Sequence, residues 1–342
     1  MREDKRFEGM LQAVWDRVLN RLPVLLILIG SNRSEMERLT SYDRPFHLRG
    51  TEMELGPLSV SDVASFTGLG AADAIDAFAV TGGQPLILAQ WESGMTLKDF
   101  IRESIADPLS ALLVSGERVL TAEFPTDANA NGVLRAIGAG EATFTSIANS
   151  VGMSETTLQR SLDLLADRRM IVVERPLATS ASRNTRYRIE DPYLRFWLAF
   201  LADQIPTIEA GRSNLVIDAI KTRWLAWRGR AIEPIIRDLL WRSYGITPPA
   251  AAVGGWWNRS NSIEIDLIGA DRAPVAHKIS YVGSIKWRES HPFGSADLAA
   301  LVTASEAVPG AANAPYLAVS RTGFDVAAAN LTTISPDQLV GS

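Results

Sequence analysis

An uninterrupted apolar run, PVLLILIG from Pro23 to Gly30, constrains the fold of this chain more than any other stretch. Apolar residues at consecutive positions leave no polar face, so the run is expected as a central parallel strand buried on both sides. Phe7, Met10, Leu11, Val14, Trp15, Val18 and Leu19 precede it at helical spacing and predict an amphipathic helix that needs a sheet to lie on. Helix followed by buried strand implies an α/β sheet. Such a sheet needs further strands, and no second convincing run occurs before residue 58. The segment is therefore expected to be the closing part of an α/β domain.

The chain has 342 residues, 46% of them hydrophobic, enough for several cores at roughly 100 to 200 residues per domain. Its net charge of -5 announces neither a nucleic-acid binder nor a membrane-surface protein, so any nucleic-acid contact has to come from a local basic patch. The absence of cysteine excludes disulfides, thiolate zinc sites and cysteine nucleophiles and fits a reducing compartment. Three histidines argue further against a zinc enzyme. MREDKRFEGM has no long apolar stretch behind a basic start, and no apolar run approaches the roughly 18 residues of a bilayer span. A cytoplasmic location without a membrane partner is expected.

Residues 59–115 read as a small helical lid, with Ser59 and Ser61 as N-cap candidates and GAADAIDAFAVTGG as a helix closed by Gly82. From Glu117 the pattern becomes three helices and a hairpin. ERVLTAEF and ANGVLRAIGAG are helical, the second stopped by Gly138 and Gly140; TFTSIANSVG follows, with Thr145 as its expected N-cap. Gly152 makes a turn before SETTLQRSLDLLADRRM, whose Leu158, Leu162 and Leu165 face inward. Helix, Gly-containing turn, helix is the helix-turn-helix pattern, and IVVERPLATSASRNTRYRIEDP supplies strand, loop and strand as a wing. If the module contacts DNA, Thr156, Thr157, Gln159 and Arg160 lie on the outer face of the recognition helix, with Arg183 and Arg186 on the wing beside phosphate. The alternative is a winged helix used for protein contacts or interdomain packing. The aromatic stretch DPYLRFWLAFL, from Asp191 to Leu201, has helical spacing and no interleaved lysine, which favours core packing over base stacking.

The order VLLILIGSN, ERLTSYDRPFHLRGTEMELGPLS, VTGGQP resembles the archaeal-type ATPases of the AAA+/STAND superfamily, and DPYLRFW is similar to that family's signature after the wing. The resemblance implies that Ser31 and Asn32 end the sensor-1 strand facing the nucleotide γ-phosphate. It also implies that Arg49 is the arginine of the family's Gly-Arg pair, with Leu48 replacing Gly, and that Thr81–Pro85 is the lid motif near the adenine. Without that context, Ser31, Asn32 and Arg49 read as capping and surface residues. No G-x-x-x-x-G-K-[ST] loop and no apolar strand ending in Asp-Glu occurs in the chain, so these residues are not expected to hydrolyse ATP; ATP is expected only with a phosphate-binding segment upstream of Met1, a reading that the charged REDKRFEG keeps open.

Six of the nine tryptophans follow Gly211, at positions 224, 227, 241, 256, 257 and 287, and mark a separate core. Helix RGRAIEPIIRDLLWRSYG, hairpin AAVGGWWNRSNSIEIDLIGA, strand AHKISYVGSIKW and the later strand APYLAVSRTGF resemble the PD-(D/E)XK nuclease arrangement carried by family members after their winged helix. That chemistry needs two carboxylates on a divalent cation and a lysine that orients water or stabilises developing charge. The resemblance makes Asp266 the aspartate, Lys286 the lysine and Glu233 an added acid on the preceding helix, with Asp266 and Glu233 as ligands of Mg²⁺. The second ligand should stand two residues before Lys286, facing the same side of the strand, and that position holds Ser284, a poor magnesium ligand. Glu264 shares the face of Asp266 and offers a shifted pair, while Glu289 lies too far along its strand.

The expected fold class is a multidomain α/β and α+β protein. Residues 1–58 are the C-terminal remnant of a P-loop ATPase core, 59–115 a helical lid, 116–205 a winged helix and 206–342 a restriction-endonuclease-like α/β domain. The expected function is binding of nucleic acid or protein without ATP hydrolysis and with no resident cofactor. The alternatives are a Mg²⁺-dependent DNA endonuclease using Glu233, Asp266 and Lys286, and an ATP-binding protein. DNA and protein are both open as partners, and the oligomeric state is open.

Overall fold

The computed structural model describes residues 5–30, 36, 39, 41–42, 44–124, 127–243 and 245–341, and it divides into two units, residues 1–56 and 57–342. Ser31 and Asn32 lie outside the described residues. In the first unit α1 (Lys5–Arg17) forms where the apolar spacing places it, followed by a 3-10 turn at Leu19–Arg21. Trp15 meets the buried Phe46 with ring centroids 6.2 Å apart. The Pro23–Gly30 run, expected as a buried central strand, is not a strand: Leu25, Ile27 and Ile29 are 84, 66 and 92% exposed. A strand is held by hydrogen bonds to a neighbour, and among the described residues of this unit no second strand exists to supply them.

The second unit opens with α2 (Val60–Thr67), α3 (Ala71–Thr81) and α4 (Pro85–Leu88), then α5 (Leu97–Ala106), α6 (Ala111–Glu123), α7 (Ala128–Ala139), α8 (Phe144–Val151) and α9 (Glu155–Asp167). Capping chemistry sets several starts. Ser59 and Asp62 form a capping box at α2, which leaves Ser61 inside the helix. At α8 the cap is Thr143, not the expected Thr145, because Ser146 stands three residues after Thr143 and returns its side chain to the Thr143 amide. Gly152 ends α8 with φ 65°, a left-handed conformation that glycine adopts without strain, and Ser154 caps α9.

Strands β1 (Ile171–Glu174) and β2 (Arg186–Ile189) form an antiparallel hairpin, and Asp191 caps α10 (Pro192–Phe200). Seven of the nine residues of α10 are buried. Its two large polar-tipped rings find partners, as buried rings must: Tyr193 Oη donates to the Leu112 carbonyl at 3.0 Å and Trp197 Nε1 to the Leu113 carbonyl at 2.8 Å. The Thr81–Pro85 motif docks on the start of the same helix. Gly82 approaches Tyr193 so closely that a Cβ there would lie 2.9 Å from the Tyr193 Cβ, and Gln84 Nε2 donates to Asp191 at 3.3 Å. These glycines thus serve packing, whatever else the motif does.

After α11 (Ile205–Glu209), the 30-residue α12 (Ser213–Arg242) leads into a mixed five-stranded sheet of β3 (Ala252–Trp257), β4 (Glu264–Ala270), β5 (Ile279–Lys286), β6 (Tyr316–Ser320) and β7 (Leu331–Ile334), in that order. β3, β4 and β5 are antiparallel; β5, β6 and β7 are parallel, with α13 (Ser295–Ser305) in the β5 to β6 crossover, and α14 (Pro336–Val340) closes the chain. One sheet face, with Leu267, Tyr281, Ile285, Leu317 and Val319, packs on Ile232, Ile235 and Ile236 of α12. Val60, Ala74, Ile75 and Ala79 of α2 and α3 share that core. The other face, with Ile268 and Val282, packs on Leu301 of α13 and on Leu177 and Ala178 after the hairpin. Among the described residues no single helix is long and apolar enough to cross a membrane.

Gly116 of α6 lies against the Trp197 ring, where a Cβ would overlap the indole, whereas the nearest atom to a Cβ at Gly132 of α7 is 3.5 Å away. Gly116→Ala is therefore expected to lower stability by roughly 1 to 3 kcal/mol through overpacking. Gly132→Ala is expected to be neutral or stabilising by up to about 1 kcal/mol, because alanine favours the helix. Urea denaturation of both variants checks the contrast, and the reverse order would contradict the packing of α10 against α6.

Candidate functional site

Asp266 sits in β4 beside a register shift in its pairing with β3, between Gly254 and Trp256. Across that shift Gly255 of β3 stands opposite both Asp266 and Leu267, so the extra residue is in β4, and a Cβ at Gly255 would come within 2.7 Å of Arg237 Nη2. The bulge and the missing side chain together let Arg237 reach the sheet from α12. Its Nε donates to the Asp266 carbonyl at 2.8 Å, and its Nη2 donates to Glu233 Oε2 at 2.9 Å, one turn earlier on the same helix. Asp266 Oδ2 accepts from Ser284 Oγ at 2.9 Å and from the Ile285 amide at 2.8 Å. Lys286, half-buried, shares the Ser284 face of β5 by strand alternation.

The structure thus brings Glu233, Asp266, Ser284 and Lys286 to one end of the sheet. Glu264 does not join them as a shifted pair with Asp266, because it turns to Arg186; Glu289 turns to Arg228 and Arg321. Among the described residues no group of three or more Asp, Glu or His side chains is placed to hold a metal ion. The residues fit a divalent cation poorly for a local reason. Asp266 Oδ2 already receives two strand donors, and Arg237 Nη2 bonds Glu233 Oε2. Burial pushes the Glu233 carboxyl up to about 7; Arg237 opposes this, while Asp266, Glu264 and Glu174 reinforce it.

The hairpin contributes the other half of the site. Arg188 Nε donates to Glu174 Oε1 at 2.8 Å, and Arg237 approaches the same carboxylate at 4.0 Å. Burial raises Glu174, but Arg188 and Arg237 outweigh it and hold the carboxyl below its ordinary value. These groups edge a cleft of about 800 Å³ that includes Val173 of β1, Val253 of β3, and Trp241 and Trp257. Arg186 Nη2 donates to Asn261 Oδ1 at 2.8 Å and to the Glu264 carboxylate, with its guanidinium 4.4 Å from the Trp257 ring centroid. Arg186 is therefore held against the sheet and is not free on the wing.

On α9, Thr156, Gln159 and Arg160 are exposed as the helical spacing requires. Thr157 is half-buried and its amide bonds to Ser154, while Gln159 donates to Asp163 at 2.8 Å. Glu155, Asp163 and Asp167 share this outer surface, so its charge does not favour phosphate. Arg183 is exposed in the hairpin loop, with no hydrogen bond or ion pair to its guanidinium among the described residues. In the first unit, Arg49 is committed to Asp16 by bonds of 2.8 and 2.9 Å and to the carbonyls of Pro45 and His47. Glu174, Arg188 and Arg237 were not singled out from the sequence. Two signals were present: the i, i+4 spacing of Glu233 and Arg237, and the R-Y-R alternation that puts Arg186 and Arg188 on one strand face.

Fold and site define a mixed α/β protein in which a helix-turn-helix with a hairpin adjoins a five-stranded sheet. Residues 197–297 match the family DUF234, described as archaea bacterial proteins of unknown function. The matched segment contains Glu233, Glu264, Asp266, Ser284 and Lys286, and the β1–β2 hairpin precedes it. No curated protein and no solved structure matches the chain.

The raised Glu233 has a measurable consequence. The native protein keeps a proton there that the unfolded chain releases. The associated stability is complete below the ordinary value of 4.5 and is lost as pH rises through about 7. Between about pH 5 and about pH 8, wild type should lose on the order of a few kcal/mol relative to Glu233→Gln. Urea denaturation at both pH values measures this, and an unchanged difference would mean that Glu233 ionises normally.

Proposed function

We propose that the protein is a nucleic-acid-binding module that does not cleave its ligand. In this reading residues 116–205 are a winged helix, 206–342 a PD-(D/E)XK-like scaffold, and the whole a relative of the archaeal-type ATPases of the AAA+/STAND superfamily. The observation that carries it is the state of Asp266, whose carboxylate accepts from Ser284 and Ile285 while Arg237 bonds Glu233 beside it. Cleavage needs carboxylates turned together onto a cation that activates water. Here the serine at the second ligand position donates a hydrogen bond to the first, which favours a structural role for Asp266. The helix-turn-helix with its hairpin supports contact with a duplex, through phosphate more than through base edges. The acidic outer surface of α9 favours a second reading for that helix alone, as a contact for a protein partner. ATP hydrolysis is not assigned to residues 1–342, and neither Mg²⁺ nor ATP is required for the proposed binding.

Incubation of supercoiled plasmid with the protein and Mg²⁺ or Mn²⁺ separates the two classes of function. No cutting above background is expected, with wild type and Asp266→Ala alike; cutting that Asp266→Ala abolishes would make the protein an endonuclease. Binding of labelled duplex DNA at low salt should weaken steeply as salt rises. Arg183→Ala should weaken it evenly across sequences and reduce the salt slope by about 1.

A further inference from the structure

We infer that the hairpin and the β3–β4 turn together form one phosphate-binding surface for duplex DNA, in which Glu264 occupies the position of a phosphate on Arg186. This rests on the nucleic-acid reading above. It relocates the contact from the outer face of α9 to the junction of hairpin and sheet.

Three observations converge on it. First, Arg186 lies over the Trp257 ring and has its Nη2 fixed by Asn261 and Glu264, so the guanidinium is oriented with a carboxylate as its anionic partner. Carboxylate and phosphate are alternative acceptors for the same planar fork. Glu264 carries no other hydrogen bond or ion pair among the described residues, and its side chain is 50% exposed, so it can swing away without leaving a buried charge.

Second, the turn after β3 is held rigid from within. Asn258 Oδ1 accepts from the Ser262 amide at 2.9 Å and the Ile263 amide at 3.3 Å, and the Asn258 amide donates to the Ile263 carbonyl at 3.1 Å. Asn261 takes the left-handed conformation, with φ 55°, in which asparagine is enriched. This frame displays Arg259, exposed and with no hydrogen bond or ion pair to its guanidinium among the described residues. Third, the bond from Arg186 to Asn261 draws the hairpin against this turn, so Arg183, three residues before Arg186, and Arg259, two before Asn261, belong to one surface. A duplex approaching here meets two unengaged arginines and a third whose partner is exchangeable.

The test is fluorescence anisotropy of a labelled mixed-sequence DNA duplex with the full chain across a salt series. Glu264→Gln removes the competing charge and is expected to tighten binding roughly three- to tenfold at low salt. Arg259→Ala, on an exposed turn where it holds nothing in place, is expected to weaken binding and lower the salt slope by about 1. Opposite signs for the two variants support the surface. Wild-type binding that neither variant changes, or that Glu264→Gln weakens, would place the DNA elsewhere and overturn this inference while leaving the nucleic-acid reading intact. No wild-type binding at any salt would overturn both.

Discussion

Asp76 of α3 is the buried carboxylate on which the second unit closes. It accepts from Trp287 Nε1 at 2.7 Å and from Arg228 Nη1 at 3.1 Å, and Arg321 stands 3.5 Å away. These donors come from the ends of the neighbouring strands β5 and β6 and from the middle of α12, so one anion ties a helix near the start of the unit to the centre of the sheet. Arg228, itself buried, also bonds the Trp287 carbonyl and Glu289; Arg321 adds Asp73. Burial still raises Asp76 to about 6, against the pull of Arg228, Arg321 and Trp287, while Glu289 adds to the rise. The desolvation penalty is thus not fully offset, as expected for a buried pair. Losing one partner is another matter, at about 3 to 5 kcal/mol, because it strands the other charge.

That cluster reaches the site directly. Trp287 follows Lys286, so anchoring the indole on Asp76 fixes where Lys286 and Ser284 stand on β5. Ser284 and the Ile285 amide then fix Asp266, and the β4 bulge opposite Gly255 admits Arg237 to its carbonyl. The chain of contacts leads from a helix core to a polar strand end without passing through a free carboxylate. Here the donors are supplied by the protein, and Arg237 carries the positive charge.

Much of this was legible in the sequence wherever local chemistry decides. The helix-turn-helix follows from Gly152, Ser154 and the Leu158, Leu162, Leu165 stripe, and the packing role of DPYLRFW from its aromatic spacing. That Ser284 and Lys286 share a strand face follows from alternation. Local pattern misled where the partner is distant or absent. The Pro23–Gly30 run has strand composition, but composition does not supply the neighbour that a strand requires. The alanine-rich face of α3 packs on a sheet that begins more than 150 residues later, which periodicity cannot report; it says that a face is buried, not against what. Thr143 and Thr145 are equally good hydroxyl caps, and Ser146 at the third position decided between them. The pairing of Arg186 with Glu264 spans 78 residues and two different sheets, so no sequence spacing announces it.

On the proposed nucleic-acid reading, the same pairing bears on how a chain of net charge -5 would meet a polyanion. Long-range attraction is not available to it, so the local field must come from arginines gathered by the fold. The outer face of α9 gathers Glu155, Asp163 and Asp167 around Arg160, and its field is the wrong sign for phosphate. The bond from Arg186 to Asn261 instead joins the hairpin, whose loop carries Arg183, to the Asn258–Ser262 turn, which carries Arg259, with Glu264 paired to Arg186. A carboxylate in that position would lower affinity for every anion, and most for a single phosphate, which must displace it for one new bond. A duplex on the proposed surface would engage Arg183 and Arg259 at the same time and meet the same obstacle with several contacts. In the proposed surface Glu264 would therefore favour extended polyanions over isolated phosphates, a form of specificity obtained without reading any base.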